Sequence, residues 1–271
     1  MSGLGFSLAH GGSAAKVDAQ PSYAAPARNT PVIQDNDPER GVAIRLGKHL
    51  RSPFNSMIGR SSRVPTTPFI DPALFPWAAA LEAGWSDIRP ELDSVRACGR
   101  EVLPLARISP DHADVALDEK WKSFVFEAYG YHVPRNRASC PRTTALLGQV
   151  PGLVLAMFSI MEPGTHVPLH TGVSKALINV HLGLDVPLGD CRIEVGGETR
   201  RWEPGKLLLL DDTYPHQVWN NTEHTRVVLL MQIRRPVGPL ATLLGNAFLG
   251  AVRRTGYVQD PRRALGAVPN R

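Results

Sequence analysis

The chain has 271 residues, 43% of them apolar, with 30 basic and 25 acidic side chains and a formal charge of +5. That apolar content is enough to bury a substantial core in a globular protein, whereas so dilute a positive excess gives no footing for nucleic-acid binding. Cys98, Cys140 and Cys191 lie far apart with no CxxC pair, which argues against a disulfide framework or a thiolate metal site and fits a reducing, cytoplasmic setting.

The opening MSGLGFSLAHGGSAAK has neither the basic nor the continuous apolar region of a signal peptide. No apolar run approaches the roughly 18 residues of a membrane span. Residues 1 to about 65 are rich in Gly, Ser, Ala and Pro and have little apolar surface with which to offset ordering entropy, so an extended or loosely ordered arm is expected. A main domain is expected over 66–236. It begins with an amphipathic helix in which Ala80, Leu81, Trp85, Ile88 and Leu92 recur at three- and four-residue spacing. A second helix is predicted around Thr143 to Gln149.

Between Leu153 and Ile233 the punctuation becomes that of an all-β meander. Strands are predicted over Leu153 to Met161, Leu177 to Leu184, Cys191 to Val195, Thr199 to Trp202, Lys206 to Leu210, His216 to Asn220 and Arg226 to Ile233. Pro163-Gly164, Gly196-Gly197 and Pro204-Gly205 supply turns between them. Such spacing suggests a sandwich or jelly-roll barrel. The last part, 237–271, offers a helix whose Leu240, Leu243, Leu244, Ala247, Phe248 and Ala251 share one face, expected to dock on its own barrel, with a membrane or partner helix as the alternative, followed by a basic tail with Arg253, Arg254, Arg262 and Arg263.

Period-two reading of Leu177 to Leu184 puts Ile178, Val180, Leu182 and Leu184 on a core face and Leu177, Asn179, His181 and Gly183 on the other. Buried Asn and His want partners, either a ligand or the surrounding structure. If Asn221 centres the next turn, His216 lies opposite Arg226. A metal-binding imidazole would then neighbour a guanidinium suited to a carboxylate. A 2-oxo diacid requires that pairing, though a one-residue slip would send Arg226 to the surface. A second histidine is available at His170, in an irregular loop set by Pro163, Gly164 and Pro168, with His166 as competitor.

The segments FSIMEPGTHVPLHTG, NVHLGL and WEPGKLLLLDDTYPHQVWNNTEHTRVVLL resemble the catalytic domain of the aspartyl/asparaginyl β-hydroxylase family. The likeness runs from about Phe69 to Pro236, and its most specific part lies between Phe158 and Arg235. It implies a mainly β fold with flanking helices, a double-stranded β-helix, with His170 and His216 as ligands of Fe(II). It further implies that Arg226 binds the distal carboxylate of 2-oxoglutarate with help from Ser159, that His181 approaches the metal-proximal end, and that Met161 lines the pocket. Trp121 and the loop YGYHVPRNRASCP are similar to the family's substrate-facing region.

Non-haem iron oxygenases ordinarily add a carboxylate to two histidines. Gly172 stands in that place here, as in relatives that act on aspartyl residues, with water as the implied replacement and Asp212 either its acceptor or a plain turn residue. Leu177 and Asn179 stand where acid-hydroxylating relatives carry arginines, which removes up to two charge-assisted bonds of about 1.5 to 3 kcal/mol each. Lys175 is expected to be solvated or to compensate from the loop.

The expected activity is an O2-consuming dioxygenase reaction that hydroxylates an amino-acid, peptide or acyl substrate, with succinate and CO2 as coproducts. A cupin-like isomerase or binding module on the same barrel is the alternative. Oligomeric state is left open.

Overall fold

The computed structural model describes residues 41–99, 102–109, 115–116 and 118–270, with side chains from Arg51 onward; expectations for residues 1–40 lie outside the described residues. Helices are α1 (Gly41–Arg60), α2 (Ala78–Ala83), α3 (Trp85–Cys98), α4 (Leu105–Ile108), α5 (Pro134–Ser139), α6 (Pro141–Leu147), α7 (Pro239–Val252) and α8 (Gly256–Leu265). Strands are β1 (Phe69–Ile70), β2 (Leu103–Pro104), β3 (Trp121–Ala128), β4 (Tyr131–His132), β5 (Leu153–Met161), β6 (Thr165–His170), β7 (Leu177–Asp185), β8 (Cys191–Val195), β9 (Glu198–Arg200), β10 (Leu207–Leu210), β11 (His216–Asn220), β12 (Arg226–Arg234) and β13 (Val268–Pro269). Among the described residues no helix is long and apolar enough to cross a membrane.

The strands form two sheets. The larger runs β1-β10-β7-β12-β5-β3-β4-β13, with β2 beside β3, and the smaller runs β6-β11-β8-β9. Every pairing is antiparallel. The period-two pattern explains how one sheet serves two cores. Phe158 and Ile160 on β5, Ile178, Val180, Leu182 and Leu184 on β7, and Val227, Leu229 and Met231 on β12 pack outward against Ile88, Leu92 and Val95 of α3. Their alternates Met161, Leu208, Leu210 and Val228 turn inward against Val167, Ile193, Val195 and Val218 of the smaller sheet. This mainly β, double-stranded β-helix architecture with flanking helices is the one expected.

Several local expectations differ. The predicted first helix is two, α2 and α3, parted at Gly84, where a side chain would meet Leu146. Gly196-Gly197 does close a hairpin, with Val195 opposite Glu198, but the strands do not form a meander: β7 to β8, β10 to β11 and β11 to β12 each cross between sheets. His216 therefore does not face Arg226 in a hairpin. It pairs with His170 and Val195, while Arg226 pairs with Met161. The cause is Asn220, whose Nδ2 donates to the carbonyls of Met161 (3.0 Å), Glu162 (3.2 Å) and His224 (2.9 Å) and bends the chain across the sandwich.

Two terminal segments also gain structure from distant partners. In α1, part of the stretch read as an arm, Phe54, Met57 and Ile58 pack with Ala176 and Ala241. The basic tail contains α8, and the Arg253 guanidinium before it and the Arg262 guanidinium on it lie over the Tyr131 ring at 4.4 and 4.6 Å.

Candidate active site

His170 reaches the interior because of a bulge. The stretch read as an irregular loop is strand β6, where Thr165 and Val167 are buried and His166 is exposed. Strict alternation would next bury Leu169 and expose His170. The register slips between Val167↔Val218 and His170↔His216, at Pro168, which cannot donate to the ladder and is tolerated at a bulge. The extra residue inverts the phase: Leu169 is 39% exposed, and the His170 and His216 rings meet at 4.0 Å. His166 is excluded from this pair, since its ring stacks on Trp219 outside the barrel at 5.2 Å.

Both histidines are held as neutral imidazoles. Nδ1 of His170 lies 2.7 Å from the Pro168 carbonyl, and Nδ1 of His216 lies 2.9 Å from that of Tyr214. Each Nδ1 is thereby the donor, and the lone pair falls on Nε2, the tautomer a divalent transition metal takes. Burial lowers the His170 pKa, and burial together with the His170 charge lowers that of His216 to about 4. Among the described residues no group of three or more His, Cys, Asp and Glu side chains is arranged around a metal position, so the donor set fits a metal held by two imidazoles, without a protein carboxylate.

The carboxylate is displaced by one contact. Asp212, 8% exposed, accepts from Asn179 Nδ2 at 3.2 Å, and a Cβ at Gly172 would collide with its carboxyl group. Gly172 donates its N–H to the Asp212 carbonyl at 2.7 Å. The space a side chain at position 172 would need is filled from the neighbouring loop. Burial, then the Asp211 charge, pushes the Asp212 pKa up to about 7 against the Asn179 hydrogen bond, Arg235 and Arg51.

On the facing sheet, Trp202 Nε1 donates to His181 Nδ1 at 3.1 Å. The proton of His181 therefore sits on Nε2, a buried nitrogen with no partner. Burial, then the charges of Arg226 and His216, brings its pKa down to about 3, which ties the three residues electrostatically. Arg226, 3% exposed, lies 4.6 Å from the Trp202 ring, donates to Met161 Sδ and Ser159 O, and keeps an unpartnered Nε. Burial lowers its pKa to about 10, so it stays charged at neutral pH. Ser159 Oγ accepts from Trp121 Nε1 at 3.0 Å. An unneutralised buried guanidinium and an unpaired imidazole N–H are costly unless an anion is meant to meet them.

The remaining candidates sort clearly. Leu177 packs against Val154 and Leu249, away from the other residues of the site. Lys175 is neither solvated nor compensating: its Nζ donates to Asp211 Oδ2 (2.7 Å) and Thr213 Oγ1 (3.0 Å). Arg235 Nη2 reaches the same Asp211 oxygen at 2.6 Å. The sequence assigned no part to Trp202, whose indole N–H holds the neutral His181 while its ring lies beside the buried Arg226. Nor did it signal Arg51, which donates to the Gly172 carbonyl and to Thr171 Oγ1 (3.3 Å) from the supposed arm.

The chain is thus a double-stranded β-helix protein with two inward imidazoles paired on one sheet and a buried arginine on the facing sheet. The pattern of the Aspartyl/Asparaginyl beta-hydroxylase family matches residues 82–236, and the chain belongs to that family. It is 35% identical over 201 residues to an ornithine lipid ester-linked acyl 2-hydroxylase of Rhizobium tropici, covering 73% of this chain and 72% of that one. The human aspartyl/asparaginyl beta-hydroxylase is 30% identical over 175 residues, covering 59% of this chain but only 23% of that protein. Among solved structures, a Pseudomonas putida prolyl-4-hydroxylase aligns at 15% identity with a TM-score of 0.38, covering 56% of this chain and 88% of that one.

Proposed function

We propose that this chain is an Fe(II)- and 2-oxoglutarate-dependent dioxygenase that hydroxylates an aliphatic carbon. The observation carrying the proposal is the pair of imidazoles at 4.0 Å, each tied through Nδ1 to a backbone carbonyl, opposite a buried arginine. When bound, the iron supplies dioxygen activation coupled to decarboxylation of 2-oxoglutarate, so that one oxygen atom enters the substrate C–H bond and the other enters succinate, with release of CO2.

The protein's part is orientation and exclusion of water. His170 and His216 present Nε2 lone pairs to the metal. Arg226 takes the far carboxylate of 2-oxoglutarate, Met161 and Ser159 position its guanidinium, and the free N–H of His181 meets an oxygen of the cosubstrate's near end. Asn179 orients Asp212, which accepts from a water in the place a third protein ligand would take. A metal-dependent isomerase on the same barrel gives no account of Arg226.

Among amino-acid, peptide and acyl substrates we favour an acyl chain. Asn179, beside Asp212, stands where the resemblance to acid-hydroxylating relatives implies an arginine, and the Rhizobium tropici relative is by name an acyl hydroxylase. A cytoplasmic setting belongs to this reading, with Cys98, Cys140 and Cys191 all free thiols. The test is iron-dependent conversion of 2-oxoglutarate to succinate by the wild type and its loss in His170→Ala. Equal succinate yields from the two proteins refute the assignment.

A further inference from the structure

Helix α7 is amphipathic the wrong way round. Its packed face carries small residues: Ala241 is 3% exposed, and a Cβ at Gly245 would lie 3.8 Å from Ala176 Cβ. Leu249 and the half-buried Phe248, whose ring lies tilted 5.2 Å from that of Phe54 of α1, add bulk to that face. The stripe expected to dock on the barrel points outward, with Leu240 68% and Leu243 66% exposed, Leu244 also open, and Ala247 and Ala251 continuing it. A surface helix normally buries its leucines. An exposed apolar stripe of this kind marks an interaction site.

The charge around the stripe selects the partner. No carboxylate occurs from Gly41 to Ile70 or from His224 to Gln259, the segments that hold α1 and α7. Arg60, Arg234 and Arg254, all exposed, flank α7 at its start, middle and end. Ser61, next to Arg60, accepts from Gly238 N through its Oγ (3.0 Å); Arg234 donates to Asn246 Oδ1 (2.6 Å) and Arg254 to the Gly250 carbonyl (3.0 Å). Leucines level with a cationic rim match the interface of an anionic bilayer, where apolar side chains enter the acyl boundary and guanidinium groups meet phosphate. With 14 residues, α7 is too short to span a membrane and suited to lie on one.

This face also adjoins the site. Helix α7 packs on Ala176 and Leu177. Helix α1 holds the loop after His170 through Arg51 to Gly172 O, Asn55 Oδ1 accepting from Lys175 N (2.9 Å) and Asn55 Nδ2 donating to Val173 O (3.4 Å). Val173 in that loop is 64% exposed. We propose that α7 and the adjoining end of α1 form a docking surface for anionic phospholipid bilayers, which sets the site mouth against the lipid so that a membrane acyl chain enters it. The entry of an acyl chain rests on the substrate class favoured above; the docking does not.

The experiment is sedimentation of the full chain with vesicles of phosphatidylglycerol and phosphatidylcholine, and with phosphatidylcholine alone. The expected results are binding to the anionic vesicles, weakening as NaCl rises from about 0.1 to 0.5 M, and at least about tenfold weaker partition for Leu240→Ser/Leu243→Ser/Leu244→Ser. These side chains are exposed, so the variant should keep its melting temperature. Absence of wild-type binding, or equal binding by the variant, overturns the proposal. So does a wild-type dimer in light scattering that the variant breaks without any vesicle binding, because the stripe then belongs to a second copy. Vesicle binding is read without turnover, so its failure and a failure of succinate formation are separate outcomes.

Discussion

Exchanging the volumes of Gly172 and Asp212 tests whether the aspartate takes the room that a side chain at position 172 would need. A Cβ at Gly172 has no room while the Asp212 carboxyl is present, so Gly172→Ala forces that side chain or the loop to move, at about 1 to 3 kcal/mol. Asp212→Ala loses one hydrogen bond from Asn179 but relieves the burial of a group whose pKa is pushed up to about 7, a net cost of about 1 kcal/mol. In the double variant the new methyl enters the vacated space. Its cost should fall short of the sum of the single costs by about 1 kcal/mol or more, the size expected for residues sharing one cavity. Urea unfolding of the four metal-free proteins measures the cycle. Additivity within about 0.5 kcal/mol would mean that the two positions do not compete for space, and the account of the missing carboxylate would fail.

Asp211→Asn removes the charge shared by Lys175 and Arg235, whose partner side chain is 0% exposed, and should cost about 3 to 5 kcal/mol in chemical denaturation. Arg226→Met should raise the KM for 2-oxoglutarate roughly 10- to 100-fold, the loss of a charge-assisted carboxylate contact, while leaving the fold intact by circular dichroism. The metal-free protein should lose stability on acidification. His181 has a folded pKa near 3, below the unfolded value, so the unfolded chain takes up a proton first and stability falls as pH drops below about 6.5. Between pH 7 and pH 5 this group contributes about 2 kcal/mol of loss, and a Tm slope unchanged in His181→Gln would contradict it.

Residue pattern alone revealed the two faces of β7 and the Gly196-Gly197 hairpin, because both are local. What escaped it was set by contacts across the chain. His170 faces inward through a bulge at Pro168, whose phase change no alternation rule anticipates. The turn after Asn220 has the composition of a hairpin loop, yet its hydrogen bonds to Met161 and Glu162 carry it to the other sheet. Helix α1 lacks an apolar partner within its own neighbourhood and finds one nearly two hundred residues later at Ala241 and Phe248. The inverted face of α7 was equally hidden, since periodicity gives the stripe but not the side on which the barrel lies.

The crossing turn at Asn220 leaves the imidazole pair on one wall of the sandwich and Arg226 on the other. Sheets that pack face to face stand about 10 Å apart, and here Val167, Ile193 and Val218 of one sheet pack against Leu208, Leu210 and Val228 of the other. On the proposed reading, the reach between the metal and the carboxylate clamp is gauged by the separation of these two walls rather than by a movable loop. Discrimination among diacids of different chain length is on this account written into residues that no diacid touches.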